Sequence, residues 1–431
     1  VSPAADARRD QADWLPYPEA LARVLERTPP LGSERIPLER ATGRALAADV
    51  RSDVDHPPWD NSGMDGFAVR ASDVAGASEE SPVILPISGD VPAGEFPEGP
   101  LQPGTAVRVM TGAPVPEGAT GVVRVEHTDG GRDGRVAILR AEDADAHIRR
   151  AGEDLRRGQT ALERGMEVTP AVVSVLATLG RITVEVGRVP RVGILATGDE
   201  LVGPEAFDQV LAGRAIADSN GPALAAQVVT AGAVAVPLGI AADEPASLQS
   251  HLEAAADCDV LITTAGVSVG ERDLVRAVLE ELGMVRVFWR VRIRPGSPFT
   301  FGLLPGARPV FGLPGNPVSA LVTFEVLVRP ALRRMAGHGR LERRRRRAEL
   351  AMEARGSGDL THFFRVRLEE RRGSLPLAHL TGPQGSGIVT SVARADALLV
   401  MPEGTARLAP GEEADVIPLD PWAPRPGSGT A

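Results

Sequence analysis

From residue 191 onward the chain repeats a simple rhythm: a short unbroken apolar run, a turn, then a stretch with helical spacing. VGILAT (192–197) predicts a strand, 223–232 a helix, 233–240 a strand, 245–256 a helix, DVLITT (259–264) a strand and 274–282 a helix. Apolar residues three and four apart mark one face of a helix, whereas a continuous short run suits a strand covered on both faces. Strands alternating with helices predict a doubly wound, mostly parallel α/β domain. It ends in Leu313-Pro314-Gly315-Asn316-Pro317 and a helix over VSALVTFEVLV (318–328). There Asn316 reads as the N-cap and Pro317 sits in the first turn, where a missing N–H costs nothing.

The rest of the chain has a different texture. Residues 15–52 predict a helix over PEALARVLER and a second element around PLERATGRAL. Between 53 and 147, Gly and Pro punctuate β-rich runs at 82–87, 105–110 and 121–126, the pattern of a small all-β domain. Helical spacing returns in PAVVSVLATLG (170–180), while Pro330 and the arginines at 343–347 read as a linker. That arginine run fits either a solvated helix end or a phosphate site. The expected organisation is a linking helical/β domain (12–52 with 148–178), a β-rich lid (53–147) and an α/β domain (179–334). A C-terminal small β-barrel domain (335–420) and a disordered tail (421–431) complete it.

Composition narrows the class. At 431 residues the chain exceeds what one core supports. Apolar residues are 43% and charged residues 24%, an ordinary globular mixture. No stretch approaches the roughly 18 consecutive apolar residues of a membrane span. The first residues carry no apolar core of a secretory signal, so a cytoplasmic enzyme is expected. The formal charge of −10 argues against broad nucleic-acid binding. All 47 basic residues are arginine, and the single cysteine, Cys258, excludes an intramolecular disulfide or a multi-cysteine metal site. Seven histidines lie scattered without zinc spacing.

Ligands of open α/β sheets bind beyond the carboxyl ends of the strands. Those ends carry Thr197-Gly198-Asp199-Glu200, then Asp243, then a Gly-rich turn, 265–273, containing Gly266, Ser268, Gly270 and Asp273. Backbone N–H groups of such a turn can cradle a phosphate, and carboxylates beside a phosphate call for a divalent cation, Mg²⁺ suiting the oxygen set. The same residues also have plainer readings: a tight turn for the glycines, a helix start for Glu200, an N-cap for Asp243, and turn chemistry for Asp218-Ser219-Asn220. Polar loops at 60–69 (DNSGMDGFAV), 109–119 (VMTGAPVPEGA) and 148–154 (IRRAGED) add further candidates.

With ATGDEL, DSN, AGVSVGERD, RPGSPFTFG and FGLPGNPVSALVTFEV, and with TGPQGSGIVTS nearer the end, these motifs resemble the molybdopterin molybdenumtransferase family in that family's order. The bacterial MoeA proteins and the C-terminal domain of gephyrin are members. The resemblance implies an elongated homodimer of four-domain subunits, whose α/β domain is similar to molybdopterin adenylyltransferases. The β lid of one subunit would lean over the α/β domain of its partner. It implies adenylylated molybdopterin and molybdate as substrates, molybdenum cofactor and AMP as products, and Mg²⁺. Molybdopterin adenylyltransferase and molybdoenzyme maturation factors are the implied partners, with neither nucleic acid nor membrane.

On that basis Asp60, Asp65, Glu200, Asp243 and Asp273 are the expected catalytic residues, the last three also holding the metal. Thr111, Asp154, Thr197, Gly198, Asp218, Ser219, Asn220, Gly266, Ser268 and Gly270 are expected to bind substrate. Arg149, Arg150, Arg294 and Ser297 are expected around its anionic groups, with Pro314 and Pro317 shaping the wall. The chain departs from the family's Lys-Pro-Gly-Lys-Pro with Arg294-Pro295-Gly296-Ser297-Pro298, losing a charge at Ser297. It also carries Ala265 for a glycine, Gly63 for alanine and Phe67 for tyrosine. A divergent binding or scaffold protein and an adenylyltransferase are the competing readings; molybdate and tungstate are not distinguished.

Overall fold

The computed structural model describes residues 14–264 and 274–419. Its α/β sheet has six strands in the order Val234–Ala241, Arg191–Thr197, Val260–Thr264, Arg308–Leu313, Thr300–Leu304 and Val285–Trp289. The first four run parallel, Thr300–Leu304 runs against them, and Val285–Trp289 pairs antiparallel with Thr300–Leu304 and so runs with the first four. Arg191–Thr197 comes first in the chain yet lies between the next two strands, so the winding reverses at its carboxyl end. That reversal opens a crevice in which such sheets bind ligands.

Burial on both faces explains the unbroken apolar runs. Val192 and Ile194 face one core with Val260, Ile262 and Phe311. Leu195, Leu261 and Val310 face the other, beneath helices Pro245–Glu253 and Leu274–Glu281. Phe288, Phe299, Phe301 and Phe311 stack through the first core at centroid separations from 5.1 to 6.2 Å.

Three local expectations change. The helix placed at 223–232 begins earlier, as Asn220–Thr230, because the Asp218 carboxylate accepts from the N–H groups of Asn220 and Gly221 and caps it from outside. Pro330 marks no linker. Helix Pro317–Thr323 passes through five π-helical residues, Phe324–Val328, into helix Arg329–Met335. A widened turn ahead of a proline relieves both the missing N–H and the clash with the preceding carbonyl. The arginine run is neither a helix end nor an open phosphate site: part of it forms strand Arg346–Leu350, and Arg343, Arg346 and Arg347 pair with Glu325, Glu370 and Glu413.

The C-terminal strands close a five-stranded barrel: Thr361–Glu369, Leu377–Leu380, Arg346–Leu350, Glu413–Pro418, Ala397–Met401 and back to the first. Phe364, Val366, Leu399 and Val416 fill it. Strand Val291–Arg294, which follows the last α/β strand, runs parallel between Leu15–Pro16 and Thr361–Glu369 and so joins the barrel.

A separate compact unit comprises Asp49–Glu163 and Ser174–Arg181. Its five-stranded sheet has the order Gly121–Arg124, Gly66–Val69, Ala106–Val109, Val83–Val91, Arg135–Ile138. Side chains of Gly66–Val69 alternate between two small cores, Phe67 and Val69 in one and Ala68 in the other. At Gly66 a Cβ would stand 2.1 Å from the Val123 carbonyl oxygen, so only glycine lets the two strands approach. Among the described residues no helix is long and apolar enough to cross a membrane.

Candidate functional site

At the carboxyl end of Arg191–Thr197 the chain turns through Gly198 at φ +142°, a conformation that favours glycine, and Asp199 and Glu200 follow. Backbone hydrogen bonds tie this turn to its neighbours. The Gly198 N–H donates to the Ala241 carbonyl at 3.3 Å, and that of Ile216 to Glu200 at 2.7 Å. The Asp243 N–H donates to the Asp199 carboxylate at 3.0 Å, so two strand ends bring their acids together. Burial first, then the charges of Asp199 and Glu200, push the Asp243 carboxyl above its ordinary range. Asp243 is not an N-cap; Glu244 takes that position.

Thr197 is buried, its hydroxyl donating to the Thr264 carbonyl at 3.2 Å. Asn220 is also buried; its amide donates to the Gly315 carbonyl at 2.8 Å while its Oδ1 finds no partner among the described residues. Ser219 precedes that helix without capping it, and Pro314 lies buried in the turn that leads to Pro317. The structure thus gathers the segments 197–200, 218–220, 241–243 and 313–317 at one end of the sheet. Gly266, Ser268, Gly270 and Asp273 lie outside the described residues. Among the described residues no group of three or more His, Cys, Asp or Glu is arranged to hold a metal. Two carboxylates crowded in this way nonetheless suit Mg²⁺, which takes one or two carboxylates and completes its shell with water and phosphate.

The barrel supplies a feature the sequence reading missed. Arg365 is 1% exposed; its guanidinium donates to the Ser391 hydroxyl at 3.2 Å and the Gly385 carbonyl at 3.1 Å. No described carboxylate pairs with it, and burial alone lowers it to about 10. Arg294 lies opposite His362 on the adjoining strand, and the Val318 N–H reaches the Ser386 carbonyl at 3.2 Å. The RPGSP turn, the helix after Asn316 and the loop at 385–387 therefore adjoin. Ser297 uses its hydroxyl on the Ile293 carbonyl at 2.5 Å. An arginine inside an apolar strand, HFFRV, was the available signal for Arg365, since buried charge needs a partner or a ligand.

The other unit holds the remaining candidates. Asp60 accepts from Arg150 at 2.6 Å and from the Ala151 N–H at 2.8 Å. Partial burial raises its proton affinity, yet these two donors prevail and hold it below the usual carboxylate range. Asp65 accepts from the N–H and the hydroxyl of Thr111, each at 2.7 Å, and is lowered by both. Strand Ile148–Arg149 pairs with Asn61–Ser62, which sets Arg149 beside the 60–66 turn. Asp154 is exposed, its N–H held by the His56 carbonyl.

Family models match almost the whole chain: the MoeA N-terminal region (domain I and II) over 15–180, a probable molybdopterin binding domain over 193–334, and the MoeA C-terminal region (domain IV) over 347–419. A molybdopterin molybdenumtransferase 2 of Mycobacterium tuberculosis is 41% identical over 390 residues, covering 89% of this chain and 94% of that protein. The chain belongs to the molybdopterin molybdenumtransferase family. The Bacillus subtilis molybdopterin molybdenumtransferase is 37% identical with 94% of each chain covered. A crystal structure of the molybdopterin biosynthesis MoeA protein from Pyrococcus horikoshii superposes with a TM-score of 0.81 at 28% identity, covering 94% of this chain and all of that one.

Proposed function

We propose that this chain transfers molybdenum from molybdate to adenylylated molybdopterin and releases AMP, using Mg²⁺ and acting as a homodimer. As a family member it is a transferase of molybdenum-cofactor biosynthesis. The observation that carries the finer reading is the pair of strand ends that crowd Asp199, Glu200 and Asp243 at the reversal of winding. Like charges so placed cost free energy unless a cation or a proton joins them.

In this reading Glu200, Asp243 and Asp273 hold Mg²⁺, which when bound neutralises charge on the phosphoanhydride as AMP leaves. The two dithiolene thiols would bind molybdenum, their protons leaving with one molybdate oxygen as water, and a water oxygen would displace AMP from the molybdopterin phosphorus, AMP departing with the bridging oxygen and its electron pair. Thr197, Gly198, Asp218, Ser219 and Asn220 line the strand ends with polar groups, and Gly266, Ser268 and Gly270 cradle phosphate. Arg294 and Arg365 offer guanidinium groups to an oxyanion, a planar donor geometry suited to it. Pro314 and Pro317 fix the wall. Asp60, Asp65, Thr111, Arg149, Arg150 and Asp154 act from the β lid, held by the partnerships above.

One observation favours a second reading. With its hydroxyl committed to Ile293, Ser297 offers no cation to molybdate, as a cofactor-binding protein without turnover would tolerate. AMP release from adenylylated molybdopterin with Mg²⁺, with and without molybdate, separates the two. Molybdate-dependent release supports the transferase; none, from a folded dimer verified by mass in solution, supports the binding protein.

A further inference from the structure

Two aromatic side chains of the β-rich unit stand in solvent, although aromatics make up only 3% of the chain. Trp59 is 40% and Phe96 62% exposed, and their rings meet edge-on with centroids 4.8 Å apart at 67°. Unlike apolar residues exposed singly, these two rings form one continuous aromatic surface. Such a corner suits a third flat ring, lying on one aromatic face and presenting its edge to the other.

The surroundings say what that ring carries. Trp59 directly precedes Asp60, whose carboxylate fixes Arg150 at 2.6 Å, and the Arg150 side chain remains 60% exposed. Arg149 has no acid partner among the described residues, and its guanidinium lies along the turn at Gly63. The loop bearing Phe96 leaves the end of Val83–Val91 and Thr111 follows Ala106–Val109, strands that run parallel with Val91 opposite Val109. Aromatic corner, Asp65–Thr111 contact and two arginines therefore share one end of this sheet.

We propose that Trp59 and Phe96 form a stacking platform for the planar heteroaromatic ring of the substrate, whose phosphate faces Arg149 and Arg150. The proposal rests on the transferase reading and adds the place where a ring is held. Pterin and adenine share this chemistry, and the test tells them apart.

The full-length protein is titrated separately with AMP, with a pterin and with inorganic phosphate, following tryptophan fluorescence and its quenching by acrylamide. AMP or the pterin, but not phosphate alone, should quench saturably and shield Trp59, and the responding compound names the ring. Trp59→Ala should weaken that compound roughly tenfold and Phe96→Ala several-fold, whereas Trp59→Phe should keep most of the affinity. In the AMP-release assay Trp59→Ala should raise KM far more than it lowers kcat. Unchanged affinity for both rings in Trp59→Ala, verified as folded by its melting curve, overturns the platform. So does Trp59 being shielded from acrylamide before ligand is added, because protein would then cover it. Loss of the platform with AMP release intact leaves the transferase reading standing, and absence of AMP release in the parent protein sinks that reading alone.

Discussion

Asp243 is the residue whose behaviour most directly tests the site. Its carboxyl is raised, so it stays protonated to a higher pH than a free aspartate. Mg²⁺ affinity measured by calorimetry should therefore fall with acidification in a range above the ordinary aspartate pKa. Glu200→Gln removes one like charge and should move that fall to lower pH; an unmoved midpoint would mean the two carboxylates do not sense each other. Asp243→Asn should leave the fold intact and cut Mg²⁺-dependent turnover by about a hundredfold or more, a typical loss for a group that acts on developing charge. Ser297→Lys should lower the molybdate concentration needed for half-maximal turnover, and an unchanged value would remove that position from the anion path. The position of Glu200 and Asp243 just beyond strand ends was legible, because polar groups there stand out against apolar strands. Arg365 carried a signal in HFFRV, but its burial and its bonds to Ser391 and Gly385 depend on the barrel closing around it, which periodicity within one strand does not reveal.

Elements show the same division between local and distant causes. The parallel strands were readable because burial on both faces leaves an unbroken apolar signature, as in VLITT. The helix through Pro330 was not, since its continuity depends on a π-helical turn and on buried Arg329 and Glu325, all set by tertiary packing. Helix Arg329–Met335 is anchored by Arg333, which binds Glu167 at 2.7 Å and approaches His338 at 3.1 Å. Burial, reinforced by Arg333, lowers His338 from 6.5 to about 4. A histidine held neutral in the fold contributes stability that is complete above its unfolded value of 6.5 and drains away as pH falls toward 4. Chemical denaturation should thus lose roughly 2–3 kcal/mol from this group between neutral pH and about pH 4. His338→Gln should flatten that part of the profile; an unaltered slope would assign the loss to other groups. In the phenylalanine stack, Phe311→Ala should cost about 3–5 kcal/mol of unfolding free energy, through lost burial and the cavity left behind.

Across the whole molecule the basic charge is carried by arginine alone, and exposed pairs such as Arg140–Glu79 and Arg347–Glu413 lie in water on both sides. Each is worth about 0–1 kcal/mol, so added salt should change the melting temperature little, a point differential scanning calorimetry can check. The strand Val291–Arg294 has a larger consequence. It belongs by sequence to the α/β half but finds its hydrogen-bonding neighbours in the barrel and in Leu15–Pro16. The α/β portion is consequently no interchangeable cassette: a chimaera that joins it to the barrel of a distant relative would inherit a strand whose edge no longer fits its new neighbour. Productive crossovers between family members should avoid separating residues 291–294 from 361–369. Over longer times, the two stretches should drift as a coupled pair, each constrained by the changes the other has accepted.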